Sequence, residues 1–223
     1  MLQLERDIRI DVSDEENSAG LLKLGVSESL CISRFPRILM EYKKSNPGME
    51  IRIQFVTHEI IPELLQKGEL DMVYTLNPLI DDERVTILHK DRESLGFYSS
   101  PDHPMAGKTI REEDLREVPL LLTGHNCNFR HLLVSDLEKN GIVPKIVLET
   151  SSKEILKQFA MGGFGVAFIP DMSAESEKRE GRLKRLNWKG TDFPVYSQVV
   201  IHKDKHRNKA IIGLADMISR MSN

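Results

Sequence analysis

The chain has 223 residues, enough for one large domain or two small ones with a sizeable core. Its composition, 40% hydrophobic and 29% charged, is typical of a globular protein. The formal net charge of -3 excludes a general electrostatic attraction to nucleic acid, so any DNA contact requires another part of the protein. There is no apolar stretch for a membrane span and no signal-peptide core. Together with just two cysteines, Cys31 and Cys127, this predicts a cytoplasmic protein without disulfides and leaves a redox role for the pair open.

The first half of the chain alternates predicted strands and helices. Residues 1–20 are charge-rich and are expected to be a tail or the end of a helix that began upstream. Strands are expected at residues 21–26, 49–56 and 70–76. In the first intervening helix, Ser29 is a possible N-cap, and Pro36 either kinks the first turn or marks the helix start. The second helix is short and is expected to end at Gly68.

The second half repeats this order after a looser region. Strands are predicted at residues 85–88, 94–99, 118–123, 145–149, 166–169 and 196–201, and helices at residues 129–140, 152–161 and 210–221. In the helix over 152–161, one stripe is expected to be core, namely Ile155, Leu156, Phe159 and Ala160. The charged run 175–185 is expected to be a solvated face. Alternating strands and helices predict parallel sheets in two α/β halves, with the last strand and helix returning to the first half.

Ser27 raises the possibility of catalysis. It lies in Gly25-Val26-Ser27-Glu28-Ser29, which resembles the nucleophile elbow G-x-S-x-G but lacks the second glycine. Nothing local supplies a general base, so a serine hydrolase remains a minor alternative. The histidine pairs have no nearby ligands at the spacing of a closed metal site, and we expect neither a metal nor a cofactor.

Hydroxyl and amide side chains recur where predicted strands turn into helices. Each of them alone is commonly a helix cap. Together, at one edge of a parallel sheet, they predict a site for a small anion held by neutral donors. The predicted effector-binding residues are Ser27, Ser29, Thr57, Thr75, Thr123, His125, Asn126 and Asn128.

Several segments in order resemble one known family. "LKLGVSESL…FPRILMEYKKSNPGMEIRI", "ELLQKGELDMVYTL", "LGFYSSPDHPMAG" and "GIVPKIVLETSSKEILKQFAMGGFGVAFIPDM" are similar to the effector-binding domain of LysR-type transcriptional regulators. The resemblance implies two Rossmann-like subdomains joined by two crossover strands, a fold like that of type 2 periplasmic binding proteins. Residues 21–93 with 197–223 would form subdomain I and residues 94–196 subdomain II.

The resemblance also implies a function. A small effector, a carboxylate or oxoanion, would bind in a cleft between the subdomains and contact the hydroxyl-bearing turns. DNA would be bound by an N-terminal winged helix-turn-helix that these residues do not contain, and the regulatory domains would pair as a homodimer or tetramer. Ile60 and Ile61 could serve such an interface or the core equally well. A solute-binding protein of a transport system shares the two-lobed fold and is the main alternative.

Overall fold

A computed structural model describes residues 20–221. Its strands are β1 (Gly20–Val26), β2 (Met49–Phe55), β3 (Met72–Asn77), β4 (Val85–Glu93), β5 (Leu95–Ser99), β6 (Thr109–Ile110), β7 (Leu120–Thr123), β8 (Ile146–Thr150), β9 (Val166–Pro170), β10 (Lys184–Arg185), β11 (Asn187–Trp188) and β12 (Val195–His202). Its α-helices are α1 (Glu28–Ile32), α2 (Phe35–Ser45), α3 (Ile61–Gln66), α4 (Asn128–Lys139), α5 (Lys153–Met161), α6 (Glu175–Arg179) and α7 (Lys209–Met221). Short 3-10 turns occupy His58–Ile60, Glu112–Arg116 and Asp171–Ala174.

The described residues form two compact units. Unit 1 comprises residues 20–92 and 196–221, and unit 2 comprises residues 93–195. The chain therefore passes between the units twice, first at the end of β4 and again at the start of β12. The subdomain boundaries expected from the sequence stay a prediction of the family resemblance.

Unit 1 is built on a five-stranded sheet in the order β2-β1-β3-β12-β4. Strand β1 runs parallel to both β2 and β3, and β12 runs antiparallel to β3. Strands β1, β2 and β3 are parallel, and Val26 lies in register with both Phe55 and Tyr74. The carboxyl ends of all three strands therefore lie side by side, at one end of the sheet that is called an edge below. That edge carries the predicted site residues of unit 1.

The core of unit 1 lies on both faces of this sheet. One cluster joins α3 to strands β3 and β12, through Ile61, Leu65, Leu70, Val73, Ile80 and Val200. Elsewhere in the unit, the Tyr42 hydroxyl on α2 donates to the Ala210 carbonyl on α7 at 3.2 Å and ties the two helices together. Burial of each large apolar side chain contributes roughly 1.5–3 kcal/mol to the stability of the fold.

Unit 2 contains a second five-stranded sheet, in the order β10-β5-β9-β7-β8, and a small pair of β11 with β6. Strand β7 is parallel to β8 and β9, while β5 is antiparallel to β9. Helix α5 packs its buried side chains into the core cluster Tyr98, Leu121, Leu156, Ala160, Ala167, Ile169, Ala174 and Leu183. Both sheets combine parallel central strands with antiparallel pairs, so the expectation of purely parallel sheets is corrected. The two α/β units confirm the predicted fold class.

Three local expectations are corrected by the structure, and one open alternative is decided. Ser29 is not an N-cap, because α1 begins at Glu28 and Ser27 occupies the capping position. Ile155 and Phe159 of the predicted core stripe are 45% and 41% exposed, since the apolar stripe of α5 is wider than the face that it buries. Of the two interpretations left open for Ile60 and Ile61, the core holds for Ile61, which is fully buried, whereas Ile60 is 42% exposed. Glu177, in the charged run expected to be solvated, is buried against Lys157.

Other expectations are confirmed or completed. Pro36 lies in the first turn of α2, so it marks the helix start. Gly68 ends the turn after α3 with a φ of 65°, a left-handed conformation that favours glycine. Among residues 20–221, no helix is long and apolar enough to cross a membrane. The expected tail at residues 1–20 lies outside the described residues except for Gly20, which opens β1.

Candidate functional site

The ends of β1 and β3 bring two predicted site residues into contact. The Ser27 backbone N–H donates to the Tyr74 carbonyl at 3.1 Å and continues the parallel pairing one residue past β1. The Ser27 Oγ lies 3.0 Å from the Thr75 Oγ1, and it accepts a hydrogen bond from the Leu76 backbone N–H, also at 3.0 Å. Although Ser27 occupies the N-cap position of α1, its hydroxyl makes no capping bond. It is bonded to β3 instead.

Buried polar side chains lie next to the Ser27–Thr75 hydroxyl pair. Thr75 is fully buried, whereas Ser27 is half-buried. The Asn77 amide Nδ2 donates to the Thr75 Oγ1 at 2.6 Å. Behind it, the buried Gln198 on β12 donates to the Pro78 carbonyl at 2.9 Å. The Thr75 hydroxyl therefore faces the interior of unit 1, and Ser27 is the hydroxyl of the pair that retains exposure.

Ser29 lies within α1 and is 3% exposed. Among the described residues its Oγ has no hydrogen-bond partner, while its carbonyl accepts a bond from the Ser33 Oγ at 2.6 Å. A buried hydroxyl without a partner costs free energy, which a ligand atom or a water could recover. Its position two residues after Ser27 keeps it a candidate for the site.

Thr57 follows β2 at the same edge of the sheet. It is exposed, and it precedes the 3-10 turn His58–Ile60 without a side-chain capping bond. The adjacent His58 is half-buried, and its Nδ1 is buried without a partner in the described part of the chain. Burial lowers the pKa of His58 below its ordinary value of 6.5. At neutral pH this imidazole is therefore uncharged.

In unit 2, Thr123 ends β7 and is buried. Its carbonyl accepts a hydrogen bond from the Arg130 Nη1 at 3.2 Å, and the same nitrogen contacts the Glu149 Oε1 at 2.5 Å. Arg130 is buried, whereas Glu149 is 38% exposed. The exposed His125 lies with its Nε2 3.6 Å from the Glu149 Oε2. The guanidinium charge at this edge is thus already balanced by a carboxylate.

Asn126 and Asn128 lie where the turn after β7 leads into α4. Asn126 is exposed, and Asn128 is the first residue of α4. The structure brings Ser27 and Thr75 into contact in unit 1, and places Thr123 and His125 around Arg130 and Glu149 in unit 2. The role of all eight predicted residues in binding an effector stays a prediction.

Three side chains beside the candidate site residues were not predicted from the sequence. Asn77 stands two residues after Thr75, on the same face of β3, and this period of two is the signal that could have found it. Arg130 and Glu149 lie 19 residues apart in the chain, and no pattern in the sequence points to their pairing. Within residues 20–221, no three His, Cys, Asp or Glu side chains are grouped as metal ligands would be.

A hydrolase reading of Ser27 has no support in its surroundings. In the described part of the chain, the Ser27 Oγ bonds the Thr75 hydroxyl and the Leu76 N–H, and neither group can act as a general base. In these surroundings the Ser27 hydroxyl lacks the activating base that a nucleophile needs.

Sequence comparison places the chain in one family. Residues 15–222 match the LysR substrate binding domain. The HTH-type transcriptional regulator YwqM of Bacillus subtilis (strain 168) is 29% identical over 219 residues, which cover 97% of this chain and 74% of that protein. Against regulators named CzcR from Bacillus anthracis and Bacillus cereus, the chain spans 56% of their length. These relatives are transcriptional regulators, which confirms the expectation that the chain is not an enzyme.

Solved structures agree in fold. The regulatory domain of CcmR from Synechocystis PCC6803, solved in complex with 2-PG, is 21% identical with a TM-score of 0.77, over 91% of this chain and 98% of that one. The effector binding domain of QuiR, solved with shikimate, is 15% identical with a TM-score of 0.72, over 91% and 96%. The family match rules out the alternative of a solute-binding protein of a transport system. The chain belongs to the LysR substrate-binding domain family and is the ligand-binding domain of a LysR-type transcriptional regulator.

Proposed function

We propose that this domain binds a small anionic effector through the hydroxyl-bearing edge of unit 1, where β1, β2 and β3 end. The observation that carries the proposal is the Ser27–Thr75 hydroxyl pair at 3.0 Å, at the carboxyl ends of two adjacent parallel strands. Ligands of open α/β sheets bind outside these strand ends. The ligand-bound CcmR and QuiR domains support a small-molecule site in a domain of this fold.

The chemistry of the edge favours recognition by neutral donors. Ser27, Ser29 and Thr57 contribute hydroxyls, and the neutral imidazole of His58 lies beside them in sequence. In unit 2 the Arg130 charge is balanced by Glu149, so an anion there would meet turn amides and His125 rather than an unbalanced guanidinium. That the effector also contacts unit 2, in a cleft between the subdomains, stays a prediction of the resemblance.

Effector binding would act on transcription through the rest of the regulator. The effector changes the populations of two arrangements of the regulatory domain, to the extent that it binds one of them more tightly. An N-terminal helix-turn-helix domain of the whole protein would convert that change into altered DNA binding. Such a regulator would work in the cytoplasm.

Thermal stabilisation by a panel of carboxylates, sulfate and phosphate tests the site. A compound that raises the melting temperature of the wild-type domain should stabilise Ser27→Ala and Thr57→Ala less. Thr86→Ala, a hydroxyl removed from the outer strand β4, is the matched control and should respond like the wild type. Equal stabilisation of all variants would place the ligand elsewhere.

A second copy of the chain is the protein partner that we propose. Strand β2 is an outermost strand of the unit 1 sheet, and β8 is an outermost strand of the unit 2 sheet, so one side of each is an open strand edge. Both edges carry exposed apolar side chains: Ile53 is 41% exposed, Phe55 65% and Val147 39%. Exposed parallel edges with apolar side chains are templates for association. Pairing through such edges and the neighbouring helices is the dimer that the family resemblance implies, and tetramers would pair two such dimers.

Sedimentation of the domain tests the dimer. Phe55→Glu places a charge on the β2 edge and should shift the protein toward the monomer. Ile212→Glu alters another exposed apolar side chain, 43% exposed, on α7 and should leave the dimer intact. A dimer that survives Phe55→Glu and Val147→Glu, each with an unchanged dissociation constant, would refute pairing through these edges.

A further inference from the structure

Two hydrogen bonds around the Ser27–Thr75 pair have a fixed direction. The Asn77 Nδ2 is an amide nitrogen that can donate but not accept, so it donates to the Thr75 Oγ1 at 2.6 Å. The Leu76 backbone N–H likewise donates to the Ser27 Oγ at 3.0 Å. Each hydroxyl oxygen therefore already accepts one bond. The bond between the two hydroxyls, at 3.0 Å, is the one whose direction remains to be assigned.

Burial decides that direction. If Ser27 donated to Thr75, the Thr75 oxygen would accept two bonds and its own proton would need a third partner. Thr75 is fully buried, and the described residues offer its hydroxyl no acceptor besides Ser27. A buried donor without an acceptor is strongly disfavoured. If Thr75 donates to Ser27, every buried proton of the pair is bonded.

With Thr75 as donor, the hydrogen bonds run in one direction. Asn77 donates to Thr75 and Thr75 donates to Ser27, while Leu76 also donates to Ser27. The Ser27 oxygen then accepts two bonds, which uses both of its lone pairs. One group is left over in this chain of bonds, the Ser27 O–H, and Ser27 is the member of the pair that retains exposure.

We infer that Thr75 and Asn77 are positioning residues that make Ser27 an obligatory hydrogen-bond donor to the effector. This inference rests on the proposed function, because it assumes that the effector contacts Ser27. It narrows the effector class: the atom at Ser27 is an acceptor, as in a carboxylate, sulfate or phosphoryl oxygen. A ligand that presents an N–H or ammonium group there would find no lone pair. Successive bonds in one direction polarise one another, which strengthens the Ser27 donor.

The ligand-free domain provides the first test. In proton NMR at low temperature, the Thr75 hydroxyl proton should exchange slowly with water and show an NOE to the Ser27 β protons. The Ser27 hydroxyl proton should exchange rapidly. A protected proton on Ser27, or on neither residue, overturns the inference whether or not any ligand is known.

Oxoanion selectivity provides the second test. At pH 8 sulfate and hydrogen phosphate are dianions of similar size and shape, but only hydrogen phosphate retains a proton to donate. Asn77→Asp supplies an acceptor to Thr75, which reverses the bonds and leaves Ser27 with a free lone pair. Sulfate affinity should then fall roughly ten- to hundredfold relative to phosphate affinity, the effect of one charge-assisted hydrogen bond. An unchanged sulfate-to-phosphate ratio in Asn77→Asp contradicts the inference.

Variants of Thr75 separate positioning from folding. Thr75→Val removes the hydroxyl and should weaken sulfate binding, whereas Thr75→Ser keeps it and should restore binding. Equal binding by both variants overturns the role of Thr75. If the NMR result holds but neither ion binds the wild-type domain at millimolar concentration, the bond direction stands and the proposed anion site fails. The two hypotheses therefore fail separately.

Discussion

A buried ion pair joins three strands of unit 1 at the edge of the sheet opposite the candidate site. Asp71 precedes β3, and its Oδ1 lies 3.1 Å from the Nζ of Lys205, which follows β12. The Asp71 Oδ2 accepts the Lys23 backbone N–H of β1 at 2.8 Å. The side chains of Lys205 and Asp71 are 6% and 3% exposed. Breaking this pair tests whether unit 1 is assembled as described.

Lys205→Met is the informative change. Methionine replaces most of the apolar stem of the lysine, so the packing loss is small, but the Asp71 carboxylate stays buried without the lysine charge. Removing one partner of a buried ion pair typically costs about 3–5 kcal/mol. Because both side chains are almost fully buried, we expect the loss of stability to lie in this range, well above the roughly 0.2–1 kcal/mol of surface ion pairs.

Urea unfolding followed by circular dichroism measures the loss. Lys203→Met is the control, because Lys203 is an exposed lysine two residues away in the chain. Its free energy of unfolding should lie within about 0.5 kcal/mol of the wild-type value. The double variant Asp71→Asn with Lys205→Met should lose less than the sum of the single variants, by roughly 0.5–3 kcal/mol. A Lys205→Met variant within about 1 kcal/mol of the wild type would refute a buried pair.

Two further predictions concern a close contact in unit 2 and a pH dependence in unit 1. A Cβ at position 165 would lie 2.5 Å from the Pro119 carbonyl oxygen, so Gly165→Ala should cost about 1–3 kcal/mol in urea unfolding, while Gly124→Ala, with open space around it, should cost little. For His58, burial lowers the pKa, so below about pH 6.5 the unfolded chain takes up a proton that the folded chain does not, and stability falls. His58→Gln should therefore lose less stability than the wild type between pH 7.5 and 5.5. An equal loss in both proteins would mean that His58 is not desolvated.

Much of the fold could be predicted because its signals are local. Apolar periodicity and Gly or Pro punctuation located the central strands and the long helices within a few residues. Strand β4 was expected to end at Leu88 but continues to Glu93, because its second half is polar and lies on an edge strand. The exposure of Phe55 and Phe159 could not be predicted from periodicity either, since periodicity identifies an apolar face without showing what covers it.

The candidate site was predictable in part. Parallel strands end at one side of a sheet, so the clustering of the hydroxyl-bearing turns could be predicted. The contact between Ser27 and Thr75 could not, because it requires β1 and β3 to be neighbours in register. The pairing of Arg130 with Glu149 does not follow, because it depends on the rotation of α4 relative to β8. The direction of the hydrogen bonds at Ser27 depends on burial and emerges only when each donor and acceptor is placed.

The most direct test of effector binding at Ser27 is an NMR titration of the isotope-labelled domain with the oxoanion or carboxylate that stabilises it most. Effector binding at the carboxyl ends of β1, β2 and β3 should produce saturable shifts at the backbone amides of Ser27, Ser29, Thr57 and Leu76, and these shifts should be lost in Ser27→Ala. Saturable shifts confined to residues away from the ends of β1, β2 and β3, or unchanged by Ser27→Ala, would contradict it.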